Sequence, residues 1–317
     1  PVNNLQQYNN DGKDIGFMAR ATGKYELLGR KHDLFMTVSA SSQKEDSRWR
    51  RVTSSTQYNI WGFDHNAIAN PSWDDYNALN LNATYHNEVK QQGLSLGSRF
   101  NVTDAWHLLA GFRYAHVKTS GNSYFTWFNG KADNDYSTSR PVKKSKVSPY
   151  LGLTWDFSGS TSAYVSWTEI FKTQSSVDAA NNVLKPVVGH NAEIGTKSSF
   201  LDERLNLSFA VFQITQTNRA LPVAGQRYSI PEGKVRSRGF EAELAGEITP
   251  DWNVFAGYTF NRSKYMRAES ATYGYGVNFS KHTPKHMLRV YTGYRLPGQL
   301  HDWSVGGGFE TQSDINS

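Results

Sequence analysis

The sequence contains no cysteine, only 10 prolines, and no apolar run near the ~18 residues that a transmembrane helix requires. The absence of cysteine excludes a disulfide scaffold, a thiolate metal site and a cysteine nucleophile. The absence of a long apolar run excludes a membrane protein built from α-helices. The 34 basic and 28 acidic residues leave a net charge of +6, which is too diffuse to indicate nucleic-acid binding.

Aromatic residues, by contrast, are abundant in an otherwise polar chain. Tyr, Phe and Trp make up 14% of the 317 residues, whereas all hydrophobic residues together reach only 38%. In a transmembrane β-barrel only alternate residues face lipid, so the average hydropathy stays low, and aromatic girdles at the membrane interfaces enrich these three residue types. The composition is therefore typical of such a barrel.

Apolar and polar residues alternate with a period of two in many short segments, and helical periodicity is almost absent. The clearest segment has Phe240, Ala242 and Leu244 on one face and Glu241 and Glu243 on the other. Similar alternation predicts about twelve strands. The predicted strands include residues 15–25, 34–40, 90–100, 108–114, 147–155, 205–211 and 287–295.

The connections between these strands alternate between short and long. The long ones are predicted at 41–87, 118–146, 172–190, 218–236 and 265–285. Soluble domains seldom contain connections longer than ~15 residues, whereas outer-membrane barrels combine short periplasmic turns with long extracellular loops. The sequence thus predicts an all-β fold, an antiparallel up-and-down transmembrane β-barrel that crosses the outer membrane of a Gram-negative bacterium many times.

Several segments resemble the barrel of TonB-dependent ferric-siderophore receptors. They are residues 164–174, 184–197, 237–244, 283–289 and 294–297, and residues 26–34 fit the same family upstream. The resemblance implies a 22-stranded barrel that is filled by an N-terminal plug domain. By that comparison, residues 1–317 are part of one transmembrane barrel domain with about 12 of the 22 strands, and the plug domain and the terminal strands lie outside this chain. The first and last predicted strands are then expected at the two edges of an open sheet.

The resemblance also implies a function. By this resemblance, the protein is a receptor that binds a ferric siderophore at its extracellular loops and lumen for TonB-energised uptake into the periplasm. The siderophore is suggested to be of the hydroxamate type. A passive outer-membrane channel is the alternative. The expected partners are the siderophore, the TonB complex through the plug, and outer-membrane lipid and lipopolysaccharide, but no nucleic acid. We expect no enzymatic activity, no directly bound metal or cofactor, and iron that is carried within the siderophore.

Eight residues are candidates for siderophore binding, six of them in the first long connection. Ferric siderophores present oxygen-rich, often anionic surfaces, which suit arginine donors and aromatic faces. The alternative is an aromatic girdle with arginines that face lipopolysaccharide phosphates. The six residues are Arg48, Trp49, Arg50, Trp61, Trp73 and Tyr76.

Tyr124 and Trp127 in the second long connection complete the candidates. They are interpreted either as an aromatic lip over the ligand or as a strand extension that packs on a neighbouring loop. Glu193, Glu241 and Glu243 lie on the polar sides of their strands, and paired carboxylates can serve acid–base catalysis. We instead interpret them as lumen charges that are compensated by neighbouring strands or by the plug.

Overall fold

A computed structural model describes residues 3–54, 61–62, 72–73, 79, 81–127, 136–267, 274–280 and 282–315. These residues form twelve β-strands and a short 3-10 turn, Gly298–Leu300. None of the described segments is a helix long and apolar enough to cross a membrane. The strands are β1 Asn3–Leu27, β2 Arg30–Ser54, β3 Leu81–Asn101, β4 Trp106–Trp127, β5 Tyr136–Ser158, β6 Thr161–Lys172, β7 Val187–Phe200, β8 Leu205–Pro222, β9 Ser229–Thr249, β10 Trp252–Arg267, β11 His286–Arg295 and β12 Ser304–Gln312.

The twelve strands form one sheet in sequence order, and each neighbouring pair from β5 to β12 is antiparallel. Antiparallel neighbours in sequence order place successive connections at opposite ends of the sheet. The strands β1 and β12 are the terminal members of this described sheet, in agreement with the expected edges. The all-β antiparallel fold predicted from the alternation is confirmed.

Several strands are longer than their sequence pattern predicted. The strand β2 continues through Ser54 and β3 begins at Leu81, so the predicted connection 41–87 is wrong over much of its length. The predicted connection 218–236 likewise narrows to 223–228, between β8 and β9. These extensions carry no regular apolar alternation, although Leu221 and Val235 in them are buried. The backbone pairing continues nevertheless, because a neighbouring strand still satisfies each N–H and C=O group.

The chain divides into two compact units. The strands β6 to β12 lie entirely within the second unit. The first unit comprises Pro1–Ala19, Val38–Gly93 and Ala115–Ser145, and the second comprises Arg20–Thr37, Leu94–Tyr114 and Lys146–Ser317.

The sheet of the second unit has one apolar and one polar face. The cross-strand register places Phe209 opposite Ala242, and Val211 opposite Phe240. Many large side chains on this apolar face are exposed, as Ile194 illustrates with 60% exposure. Such a continuous exposed apolar surface suits contact with lipid. The apolar face includes Leu151, Val165, Ile194, Phe209, Val211, Phe240, Ala242, Leu244, Ala256, Tyr258 and Phe260, and the polar face includes Tyr164, Glu193, Glu241, Glu243 and Arg289.

The absence of native cysteine makes the two faces easy to test by spin labelling. We expect labels at Phe209→Cys and Val211→Cys to be quenched by a lipid-soluble reagent, and labels at Glu241→Cys and Glu243→Cys by an aqueous one. The expectation follows from the side-chain period of two, because a slip of one residue would exchange the faces. The reverse quenching pattern in reconstituted protein would show that the assigned register is wrong.

Aromatic rings approach glycines closely on the polar face. A Cβ atom at Gly239 would stand 2.7 Å from the Phe212 ring and 2.0 Å from the Phe260 carbonyl oxygen. A Cβ atom at Gly195 would stand 2.8 Å from the Tyr164 ring. These glycines therefore permit a close approach that no other residue allows.

Candidate functional site

The first cluster of predicted site residues lies in a strand and not in a connection. Arg48, Trp49 and Arg50 are consecutive residues of β2. Because successive side chains of a strand point to opposite faces, Trp49 lies on the other face from its two arginine neighbours. The structure thus separates residues that the sequence had grouped into a single loop.

Trp49 belongs to an aromatic cluster in the first unit. Its ring stacks on Tyr8 of β1 with the ring centroids 5.8 Å apart and the planes inclined by 4°. Tyr85 of β3 lies near Tyr8, and burial, followed by the charge of Tyr8, raises the pKa of the Tyr85 hydroxyl. Tyr8 is 68% exposed, so the cluster of Tyr8, Trp49 and Tyr85 presents an accessible aromatic surface.

The other face carries charged pairs. The Arg50 side chain is largely buried, and its Nη1 atom donates a hydrogen bond to Oε1 of Gln7, 3.3 Å away. The Glu88 carboxylate lies 3.0 Å from the Lys90 ammonium and 3.5 Å from that of Lys44. The hydrogen bond from Lys90 is the main cause that lowers the pKa of Glu88. The Gln7–Arg50 hydrogen bond and the Lys44–Glu88 ion pair hold neighbouring strands together on this face.

Alternation along β1 shows which face the aromatic cluster occupies. Ile15 and Phe17 are 61% and 63% exposed, and they have the same strand parity as Gln7, the partner of Arg50. Ile15 and Phe17 are therefore on the Arg50 side, whereas Met18, which is 71% exposed, shares the parity of Tyr8. Tyr8 and Trp49 lie on the opposite side, the one that the alternation predicts to be turned away from lipid.

The remaining predicted residues are described to different degrees. Trp61 is 90% exposed and Trp73 is partly buried in a turn. Tyr124 and Trp127 lie in β4, although their side chains are outside the described residues. Tyr76 also lies outside the described residues.

Sequence reasoning missed Tyr8, on which Trp49 stacks, and Tyr85, whose hydroxyl lies near that of Tyr8. The short connection Leu28–Gly29 could have identified Tyr8 as the cross-strand neighbour of Trp49. In the structure it is a two-residue turn in which both residues have positive φ, 52° and 74°. Such a turn fixes the register of a hairpin. Tyr8 and Trp49 lie the same number of residues from this turn, on its two sides.

Charged and polar side chains interact across the polar face of the second unit. The Tyr164 hydroxyl donates a 2.6 Å hydrogen bond to Glu193, and the Lys197 ammonium lies 5.6 Å from the centroid of the Tyr164 ring. The Arg289 guanidinium lies 3.3 Å from the Glu310 carboxylate. No group of three or more His, Asp or Glu side chains in the described part of the chain is placed to hold a metal ion.

Comparison with known proteins identifies the family to which the chain belongs. The model of the family described as "TonB dependent receptor-like, beta-barrel" matches residues 2–316. The chain belongs to this family. The predicted family, the strand-built membrane crossing and the outer-membrane location are thereby confirmed.

The relatives of this family member are siderophore receptors. The chain is 30% identical to the ferric-pyoverdine M114 receptor PbuA of Pseudomonas sp., over 96% of this chain and 37% of that protein. It is 31% identical to the ferripyoverdine receptor of Pseudomonas aeruginosa, over 97% and 36% respectively. The chain thus spans little more than a third of the length of these relatives.

Solved structures show the same similarity. A structure of P. aeruginosa FpvA bound to a heterologous ferric pyoverdine matches with a TM-score of 0.78 and 29% identity, and covers 97% of this chain and 39% of that one. The alcaligin receptor FauA of Bordetella pertussis matches with a TM-score of 0.68 and 28% identity, over 99% and 48%.

Proposed function

We propose that this chain forms part of the barrel of an outer-membrane receptor that binds a ferric siderophore and admits it to the periplasm with energy from TonB. The observation that supports this proposal best is a sheet with an exposed apolar face and a charged polar face, in a chain that belongs to the TonB-dependent receptor barrel family. Relatives of the chain are named as receptors for ferric siderophores. The receptor transports its ligand and does not transform it.

The proposal extends to residues 1–317 as part of one transmembrane barrel domain. Every residue of β12 is exposed, and so are most residues of β1. Such edges in hydrocarbon require pairing partners, because unsatisfied backbone groups cost several kcal/mol each in lipid. We propose that further strands of the barrel pair there and that a plug domain in the lumen carries the contact with TonB.

The siderophore site is proposed on the aromatic cluster and the loops near it. Stacked aromatic rings offer a rigid surface for an oxygen-rich ligand whose iron is already caged, so the protein need not supply an iron ligand. Of the candidate residues, Trp49 is the one that the described contacts support best. The contributions of Arg48, Arg50, Trp61, Trp73, Tyr76, Tyr124 and Trp127 stay predictions, as does the preference for hydroxamates.

Uptake of iron-labelled siderophore by a receptor-deficient strain tests this function. We expect cells that express the protein to bind ferripyoverdine or ferrioxamine and to accumulate the label only while the inner membrane is energised. Cells without the protein, and energised cells without TonB, are the controls. Failure to bind either siderophore, combined with energy-independent entry of small hydrophilic solutes, would instead favour the passive channel.

A further inference from the structure

The side-chain amide of Gln174 holds the connection between β6 and β7 against the end of β8. Gln174 is the last residue of segment 164–174, one of those that carry the family resemblance. Its Nε2 atom donates hydrogen bonds to the carbonyl oxygens of Lys185 and of Asn218, the latter 2.7 Å away. Its Oε1 atom accepts a 3.1 Å hydrogen bond from the backbone N–H of Ala220. Both N–H groups of the amide are therefore used within the protein.

This amide takes the place of a backbone strand where β7 begins. The pairing of β7 with β8 runs as far as Val188 and Thr217, and Pro186 has no N–H with which to extend it. The Asn218 carbonyl and the Ala220 N–H lie just beyond this end, and the amide supplies the donor and the acceptor that they require. Asn218 closes the same gap with a 3.2 Å hydrogen bond from Nδ2 to the Pro186 carbonyl oxygen.

The β6–β7 connection, residues 173–186, is also attached to β9. Val177 and Val183 form an antiparallel bridge, so the tip of the connection is itself a small hairpin. The N–H of Ser229, the first residue of β9, donates a 2.8 Å hydrogen bond to the Val177 carbonyl oxygen. The connection is thus fixed to β8 through Gln174 and to β9 through Val177.

Arg219 lies between the two backbone groups that Gln174 holds, and its side chain reaches the connection between β10 and β11. The guanidinium carbon of Arg219 is 4.4 Å from the centroid of the Phe279 ring. Its Nη1 atom donates a 2.7 Å hydrogen bond to Oε1 of Gln216, which orients the guanidinium group. A cation over an aromatic face at this distance is attracted to the ring. The Arg219 side chain therefore links β8 to the β10–β11 connection.

A small apolar cluster makes a second link to the same connection. Leu221 lies on the same face of β8 as Arg219, since the two residues have the same strand parity. The cluster joins β8, β9 and β10, and side chains of the β10–β11 connection pack against it. It consists of Leu221, Val235 and Tyr265, with Val277 and Phe279 packed on them.

We propose that Gln174 is a positioning residue that couples the β6–β7 and β10–β11 connections, so that the two move as one body. Gln174 fixes the β8 backbone on both sides of Arg219, and this backbone sets the positions from which Arg219 and Leu221 contact Phe279. Hydrogen bonds and packed side chains that follow one another in this way carry coupling between distant segments. At the mouth of the proposed receptor, this side would open or close only as a unit. The inference goes beyond the receptor function, because it concerns movement of the chain itself.

Hydrogen exchange measured by mass spectrometry tests the coupling, on protein of the length at which the cell expresses it. Gln174→Glu keeps the size of the side chain but removes both N–H donors and turns a carboxylate towards two carbonyl oxygens. We expect the amides of residues 176–184 and of residues 276–279 to exchange about tenfold faster, since two hydrogen bonds are lost. Gln226→Glu makes the same chemical change at an exposed residue between β8 and β9 and should exchange like the wild-type protein.

A second variant tests the order of the links. Arg219→Gln removes the contact with Phe279 while Gln174 still holds the β8 backbone, so exchange should become faster in residues 276–279 and stay unchanged in 176–184. Faster exchange confined to residues 176–184 in Gln174→Glu would overturn the coupling. An equal effect of Gln226→Glu, or an equal rise throughout β7 and β8, would overturn it as well.

Two controls keep the result interpretable. Heat-resistant gel mobility shows that each variant is folded, and Gln174→Met removes the same donors without adding charge if Gln174→Glu fails to fold. The exchange is measured without a siderophore, so a failure of the receptor function does not affect the outcome.

Discussion

Replacing Gly239 by alanine should prevent the central strands from packing as they do in the native sheet. The new Cβ atom would stand 2.0 Å from the Phe260 carbonyl oxygen and 2.7 Å from the Phe212 ring, and backbone atoms cannot move aside cheaply. We expect the free energy of unfolding to fall by about 1–3 kcal/mol, the usual cost of overpacking. Urea unfolding in lipid vesicles, followed by tryptophan fluorescence, measures this loss.

Gly257 supplies the matched control for this substitution. It lies on the polar face of β10, but a Cβ atom there would stand 3.5 Å from the Phe255 ring, an ordinary contact distance. Gly257→Ala should therefore change the free energy of unfolding by less than about 0.5 kcal/mol. Equal losses for the two alanine variants would show that close approach of Phe212 and Phe260 is not what requires glycine at Gly239.

Truncation of Trp49 should produce the largest loss of ligand affinity among the candidate residues. Trp49→Ala removes the ring on which Tyr8 stacks, so the exposed aromatic surface becomes smaller and loses its stacked pair. A buried aromatic anchor contributes about 1–3 kcal/mol to binding, which corresponds to a roughly 5- to 150-fold weaker dissociation constant. Fluorescence quenching by ferripyoverdine or ferrioxamine, whichever binds the wild-type protein, measures the change.

Two variants make this prediction specific. Trp49→Phe keeps an aromatic ring against Tyr8 and should therefore keep most of the affinity for the siderophore. Trp303→Ala alters a 69% exposed residue just before β12 and should leave that affinity unchanged. Unchanged affinity in Trp49→Ala would place the cluster outside the binding site. Trp61→Ala, Trp73→Ala and Trp127→Ala can be measured in the same assay, and a comparable loss would identify a further anchor.

The sequence by itself determined the fold class and the two faces of the strands. Phe240 and Glu241 could be assigned to opposite faces without a structure, because the contrast between lipid and a polar interior imposes a period of two on neighbouring residues. The same contrast revealed the approximate number of strands.

Only the tertiary structure decided how long the strands are and which distant residues meet. Arg48, Trp49 and Arg50 appeared to form one loop cluster, because no apolar alternation marks a strand that extends beyond the lipid. The pairing of Trp49 with Tyr8, and of Arg238 with Arg262, depends on the register between strands. Register is set by turns and cross-strand hydrogen bonds, and hydrophobicity reports it only where one face of the sheet is apolar.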